Sequence, residues 1–142
     1  MPDRVEDRSS LKDLDGVRVA VEEPLPRGLS RDTIKQSIEA QLRRAGIKIL
    51  GLGEFPTGDP HVRVTVSASG ERSGLVAADV QLDFVQIVFL RRNPQVTFNR
   101  AQTWKADAQI VLAPAGQLAR DIQRELARQT EQFIADYRAV NN

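Results

Sequence analysis

The single histidine, His61, and the carboxylates Asp79 and Asp83 are the residues of this chain whose types and spacing best suit chemistry. His61 opens a stretch of alternating polar and apolar residues, His61 to Ser69. Asp79 and Asp83 lie in a second such stretch, Leu75 to Phe84. Paired as antiparallel strands with the valines on one face, the two stretches place His61, Thr65 and Ser67 on the same face as Asp79, Gln81 and Asp83. The register that sets Val66 near Ala78 puts His61 opposite Asp83. A histidine paired with a carboxylate is a general base, and a nearby hydroxyl would complete a nucleophilic site. Asp79 and Asp83, with Asp107 on a neighbouring strand, also offer a cation or an acid/base reaction two carboxylates on one face. The plainer reading is a solvated sheet face on which Arg63 balances the carboxylates, and it carries more weight. Zinc needs three or four protein ligands, and none are grouped around His61. The sequence therefore assigns no catalytic residue, no metal ligand and no cofactor.

Arginine is the other functional signal. Sixteen of the twenty basic residues are arginine, yet the formal net charge is only +1. Arg91 and Arg92 form one basic patch with Arg100 and Lys105. Arg120, Arg124 and Arg128 form a second, at helical spacing. Asp121, Glu125 and Glu131 interleave with the second patch, and only Phe98 and Trp104 could stack on bases near the first. Nucleic acid thus ranks below a protein partner. Phosphate-binding loops, dinucleotide fingerprints, zinc fingers and nucleophile elbows are all lacking. There is no cysteine, which excludes disulfides and thiolate chemistry. No apolar run is long enough to span a membrane, and residues 1–10 contain no signal-peptide apolar region.

The elements that would position these residues are legible in the periodicity. The stretch 75–104 reads as a long strand, a turn at 91–95 and a returning strand. Val76, Ala78, Val80, Leu82 and Phe84 share one face. From Val85 the phase changes, and Val85, Ile87 and Phe89 become apolar opposite Val88 and Leu90. Either a bulge at 84–86 re-aims the strand, or its far half is covered on both faces. Gln86 and Arg100 interrupt the core pattern there. Val85, Gln86, Ile87, Phe89, Arg91, Arg92, Arg100 and Trp104 are accordingly the candidate interaction residues. Trp104 suits core packing or a partner contact.

Around this hairpin, Val17, Val19 and Val21 form one face of a first strand within 14–21. Ser30 is placed to cap a helix with an apolar stripe of Ile34, Ile38 and Leu42, and Gly46 to end it. A short strand is expected at 47–52 and another at 109–112. A final helix spans 115–139, its buried side marked by Leu118, Ile122, Leu126, Phe133 and Tyr137, with Gln129 near it. Residues 1–13 read as a loose arm and 14–142 as a single domain. The fold class expected is α+β: a two-layer sandwich with a mainly antiparallel sheet of four to five strands and two helices on one face.

Several strings together carry a resemblance. They are the run from Gly16 to Glu22, Gly28 to Ser30, Leu42 to Ile49, Gln86 with Leu90 to Arg92, Thr103-Trp104 and Phe133 to Asn141. The chain resembles a group of small bacterial proteins often made with an export signal. That resemblance implies a periplasmic or envelope location and brings no activity, cofactor or catalytic residue. A cytoplasmic location is the alternative for a chain read without a signal. The arrangement is also similar, as a fold, to the small N-terminal domain of TolB. The leading functional expectation is a non-enzymatic accessory domain that binds another protein or itself. A small-molecule or lipid carrier with a groove beside Val85–Leu90 is the second, and nucleic-acid binding the third.

Overall fold

The structure, a computed structural model, describes residues 5–141. The elements run α1 (Val5–Ser9), β1 (Arg18–Val21), α2 (Arg31–Arg44), β2 (His61–Ala68), β3 (Val76–Leu90), β4 (Asn93–Lys105), β5 (Ile110–Ala113) and α3 (Ala115–Asn141). The sheet order is β1-β2-β3-β4, with β5 also paired to β3. β1 and β2 are parallel and joined through α2, as a parallel pair requires a crossover; the other pairings are antiparallel. The inward valines of β1 and β2, with Ala78, Val80 and Leu82 of β3, bury against Ile34, Ile38 and Leu42 of α2 and Leu118, Ile122, Leu126 and Phe133 of α3. This is the expected two-layer α+β sandwich with α2 and α3 on one face.

The ends of α2 follow from its sequence. Ser30 Oγ accepts a hydrogen bond from the Thr33 amide. At the other end the Ile47 amide bonds to Leu42 O and the Gly46 amide to Arg43 O, both at 3.0 Å. Gly46 has φ of 84°. This is a Schellman closure, which needs a left-handed residue at that position.

The β2–β3 register keeps the expected parity but is displaced by two residues. Val66 pairs with Val80 and Val64 with Leu82. The connecting turn is centred on Ser73-Gly74, both at positive φ, rather than one residue earlier. Three other expectations change. Residues 47–52 contribute one parallel bridge, Val17 to Ile49, and no strand. The turn after β3 is only Arg91-Arg92, and Pro94 lies within β4. Pro94 is tolerated there because β4 is the last strand on its side of the sheet, where a missing N–H breaks no ladder. Finally, the segment taken as a loose arm is docked over its described part. Leu11 is fully buried in the core, and Asn141 bonds the Asp13 amide (2.8 Å) and Leu11 O (2.9 Å). Residues 1–4 of that arm lie outside the described residues.

β3 divides one of its edges between two partners. β5 pairs with residues 76–79 and β4 with 83–90. The gap between them is filled by a side chain. Gln129 of α3, fully buried, accepts from the Leu82 amide (2.7 Å) and donates to Val80 O (2.8 Å), as a strand's peptide group would. Its amide also donates to Glu125 Oε2 at 2.8 Å. Glu125 is buried, which works to raise its pKa. Hydrogen bonds from Arg128 and Gln129, and the guanidinium charge, outweigh that and hold the carboxyl below its ordinary range.

Candidate functional site

The histidine–carboxylate pairing does not form. His61 stands opposite Val85, and its Nδ1 lies 2.8 Å from Asp59 O. Asp83 stands opposite Arg63 and is buried. Arg63 donates to both carboxylate oxygens, Nε to Oδ1 at 3.0 Å and Nη2 to Oδ2 at 2.6 Å, and Gln102 Nε2 donates to Oδ2 at 2.6 Å. This bidentate, charge-assisted pair engages both oxygens of the Asp83 carboxylate. The hydrogen bonds that Arg63 donates to Asp83 push the guanidinium pKa up. Asp79 is exposed and four residues from Asp83, while Asp107 is engaged with Gln132 of α3. Among the described residues no group of three or more His, Cys, Asp or Glu is arranged to hold a metal ion.

The second half of the β3–β4 hairpin is where the structure departs from an ordinary sheet. Three register shifts punctuate the pairing, between Phe84 and Val85, Gln86 and Val88, and Phe89 and Leu90. Arg100 takes up one irregularity with φ of 55°, a left-handed conformation uncommon for arginine. The change of phase seen in the sequence is therefore a set of bulges. The alternative, a far half covered on both faces, is not what is found. Ile87, Phe89, Val96 and Phe98 are all exposed, Phe89 to 63%. Every residue from Arg91 to Arg100 is exposed.

A brace holds the neck of this ribbon. Gln86 Nε2 donates to Thr103 Oγ1 (3.0 Å) across the hairpin and to Ser10 O (3.3 Å) from the segment after α1. Ser10 Oγ in turn donates to Thr103 O. On the other side the Ile87 amide bonds to Gly58 O at 2.7 Å. Arg100 Nη1 adds an ion pair to Glu22 Oε1 of the body at 3.7 Å, and the residues beyond it, Arg91 to Asn99, are exposed. Because Val88 pairs with Phe98 and Phe89 with Thr97, the apolar side chains divide between both faces: Val88 and Phe98 on one, Phe89 on the other. The run from Phe84 to Ala106 contains no acidic residue, while it carries Arg91, Arg92, Arg100 and Lys105.

Of the eight candidate residues, the structure gathers Ile87, Phe89, Arg91 and Arg92 on the distal ribbon, with Arg100 on its return strand. Gln86 belongs to the neck. Val85 and Trp104 do not belong to the surface, since both are buried to about 1% exposure. Trp104 packs edge-on to Phe133 with ring centroids 5.2 Å apart, and its Nε1 donates to Asp136 Oδ2 at 2.9 Å. That satisfied, buried indole is a core residue.

There are also two open depressions of about 410 and 420 Å³, the second bordered by Arg100. The first is lined by Glu22–Pro26 and Thr65–Ala68. The second follows β1 between α2 and residues 49–52. Neither is lined by any residue of Val85–Leu90, where a ligand groove was expected. The two arginine groups do not merge either. Arg120 and Arg124 lie in the first half of α3, which starts just after the Val76–Ala113 pairing, while Arg91 and Arg92 follow the other end of the 15-residue β3. At ~3.3 Å per residue these are up to about 45 Å apart.

No helix among the described residues is long and apolar enough to cross a membrane. No family model and no curated protein matches the chain. Among solved structures, a minor lipoprotein from Acinetobacter baumannii is similar at a TM-score of 0.41 and 15% identity, over 84% of this chain and 91% of that one. A likeness of this degree carries no argument about function.

Proposed function

We propose that this domain is a non-enzymatic accessory module that binds another protein through the distal half of the β3–β4 hairpin. The observation that carries this reading is the exposure of Ile87, Phe89, Val96 and Phe98 on a braced ribbon that the body does not cover. Large exposed apolar side chains on both faces of a ribbon that also carries arginines have the composition of an interface with a hot spot. The absence of acid from Phe84 to Ala106 favours a partner surface of negative charge. An envelope location, implied by the sequence resemblance, belongs to the same reading. Cell fractionation tests it, and recovery in the cytoplasm would refute it.

The binding test is a crosslinking scan in the source cell. A photoreactive phenylalanine replaces Phe89 or Phe98 in turn, with Phe55 and Leu112, exposed on the body, as controls. A discrete protein adduct from the hairpin positions and not from the controls is the expected result. Adducts from all four positions alike, or only from the controls, would refute the assignment.

A further inference from the structure

A second surface lies along the outer edge of β1. Residues of a strand alternate in the side to which their N–H and C=O point. The Arg18 amide bonds to Pro60 O (3.0 Å) and the Glu22 amide to Val64 O (2.9 Å), so the even-numbered residues face β2. Val17, Val19 and Val21 therefore face the other way. Val17 is satisfied on that side by the segment after α2: its amide bonds to Lys48 O and its carbonyl accepts from the Leu50 amide, both at 3.0 Å. The segment then turns off at Leu52-Gly53. Among the described residues Val19 and Val21 have no backbone partner on that side.

The space the segment vacates is the groove of about 420 Å³, bordered by Val19 and Ala20, by Ile49 and Leu50, and by Arg31 and Lys35 of α2. Arg31 and Lys35 are in no ion pair with a described residue. Among the described residues Glu39 is the sole acid lining the groove, against Arg31 and Lys35 and against Arg18 and Arg100, which are themselves ion-paired to Asp59 and Glu22. Leu52, at the same groove, is 96% exposed. The sheet's other long edge is protected differently. β4 carries Pro94, the left-handed Arg100 and three register shifts, all of which oppose strand addition, and β5 is only four residues long. The β1 edge carries none of these devices over Val19–Val21.

We propose that this edge is a β-augmentation site. It takes an extended peptide segment bearing acidic side chains, which continues the backbone pairing begun by the single bridge at Ile49 and runs parallel to β1. Backbone bonds to Val19 and Val21 hold the segment, and Arg31 and Lys35 select its charge. With only about four backbone bonds on offer, the affinity is weak, with a Kd on the order of 10⁻⁴ M.

The probe is a capped seven-residue peptide of alternating valine and threonine with a glutamate at each end, added to the ¹⁵N-labelled full chain. On saturation, amide exchange at Val19 and Val21 should slow by about tenfold or more, while Val17 and Ala20, already bonded, stay unchanged. The same peptide N-methylated at alternate residues should lose binding when the methyl groups occupy the pairing side. The exposed pair R31E/K35E should lose the acidic peptide and accept one ended by lysines. The hairpin variant F89S/F98S should bind as the parent does, which separates this site from the proposed hairpin interface. No slowing at Val19 and Val21 at millimolar peptide, or equal binding of both N-methylated forms, overturns the proposal. So does slowing that grows with protein concentration alone, which would make the occupant a second copy of this chain.

Discussion

Replacing Gln129 with leucine keeps the size of the side chain and the apolar packing of α3 but removes the group that bridges β3. The Leu82 amide and Val80 carbonyl, held at 2.7 and 2.8 Å, are then left without partners in a site from which water is excluded. A buried backbone group without a partner costs ~1–3 kcal/mol. Two such groups set a range of about 2–6 kcal/mol, and local relaxation and the greater hydrophobicity of leucine place the outcome near ~3 kcal/mol. Glu125 also loses one of its hydrogen bonds, which acts in the same direction. The assay is urea unfolding of the parent, Q129L and Q129E, followed by far-UV circular dichroism. Q129L should move the midpoint down at constant slope, because the surface exposed on unfolding is the same. In Q129E the carboxylate can still accept from Leu82 but cannot donate to Val80 and lies beside Glu125, so it should not rescue. A loss below about 1 kcal/mol in Q129L would show that Gln129 does not act as the missing peptide group of the sheet.

Further substitutions test other parts of the structure. Phe89→Ser with Phe98→Ser should change stability by no more than ~0.5 kcal/mol per site, because both side chains are exposed, whereas Trp104→Ala should cost ~3–5 kcal/mol in the same denaturation assay. Gly16→Ala should destabilise by about 1–3 kcal/mol, since an added Cβ would sit 2.9 Å from Leu50 Cδ2 and 3.0 Å from Lys48 O at positive φ. Glu125 is held below its ordinary value of 4.5 in the fold, so it stabilises the native state above that pH and the contribution is lost as pH falls through the folded value. Glu125→Gln should therefore flatten the fall in unfolding free energy between about pH 5 and 3, and an unchanged slope would refute the assignment.

Much of the scaffold was legible because it rests on local rules. Ser30, Gly46 and the Ile34–Ile38–Leu42 stripe define α2 without reference to the rest of the chain, and the alternating valines of β2 define its buried face. The parity of the β2–β3 pairing followed from the same alternation. Its absolute register did not, because it depends on which of several turn residues, 70–74, adopt positive φ. The loss of the 47–52 strand is a matter of sheet topology: after one bridge to Val17 the chain leaves at Leu52. The docking of Leu11 hangs on Asn141, 130 residues away, a contact that no periodicity reveals.

The candidate site was half legible. The phase change at Val85 correctly marked an irregular stretch, and the bulges are its cause. Whether the apolar residues beyond it were covered or bare depends on what the body places around them, which a strand's own sequence does not state. Trp104 shows the same difficulty from the opposite side. Its surroundings in sequence, Thr103 and Lys105, are polar, yet Phe133 and Asp136 of α3 enclose it. Gln129 falls in phase with Ile122, Leu126 and Phe133, and a polar residue on that stripe signals a buried hydrogen-bonding duty. The open edge at Val19 and Val21 has no sequence signature, since it arises where a neighbouring segment ends.

The hairpin's role is tested most directly by affinity for the protein that crosslinks to Phe89 or Phe98. Parent and F89S/F98S chains, shown to have the same unfolding midpoint, are titrated against that purified partner by calorimetry. The double substitution should weaken binding by about 10²-fold or more, as loss of two central aromatic anchors does. Equal affinity of the two chains would contradict the assignment of the binding surface to the distal hairpin.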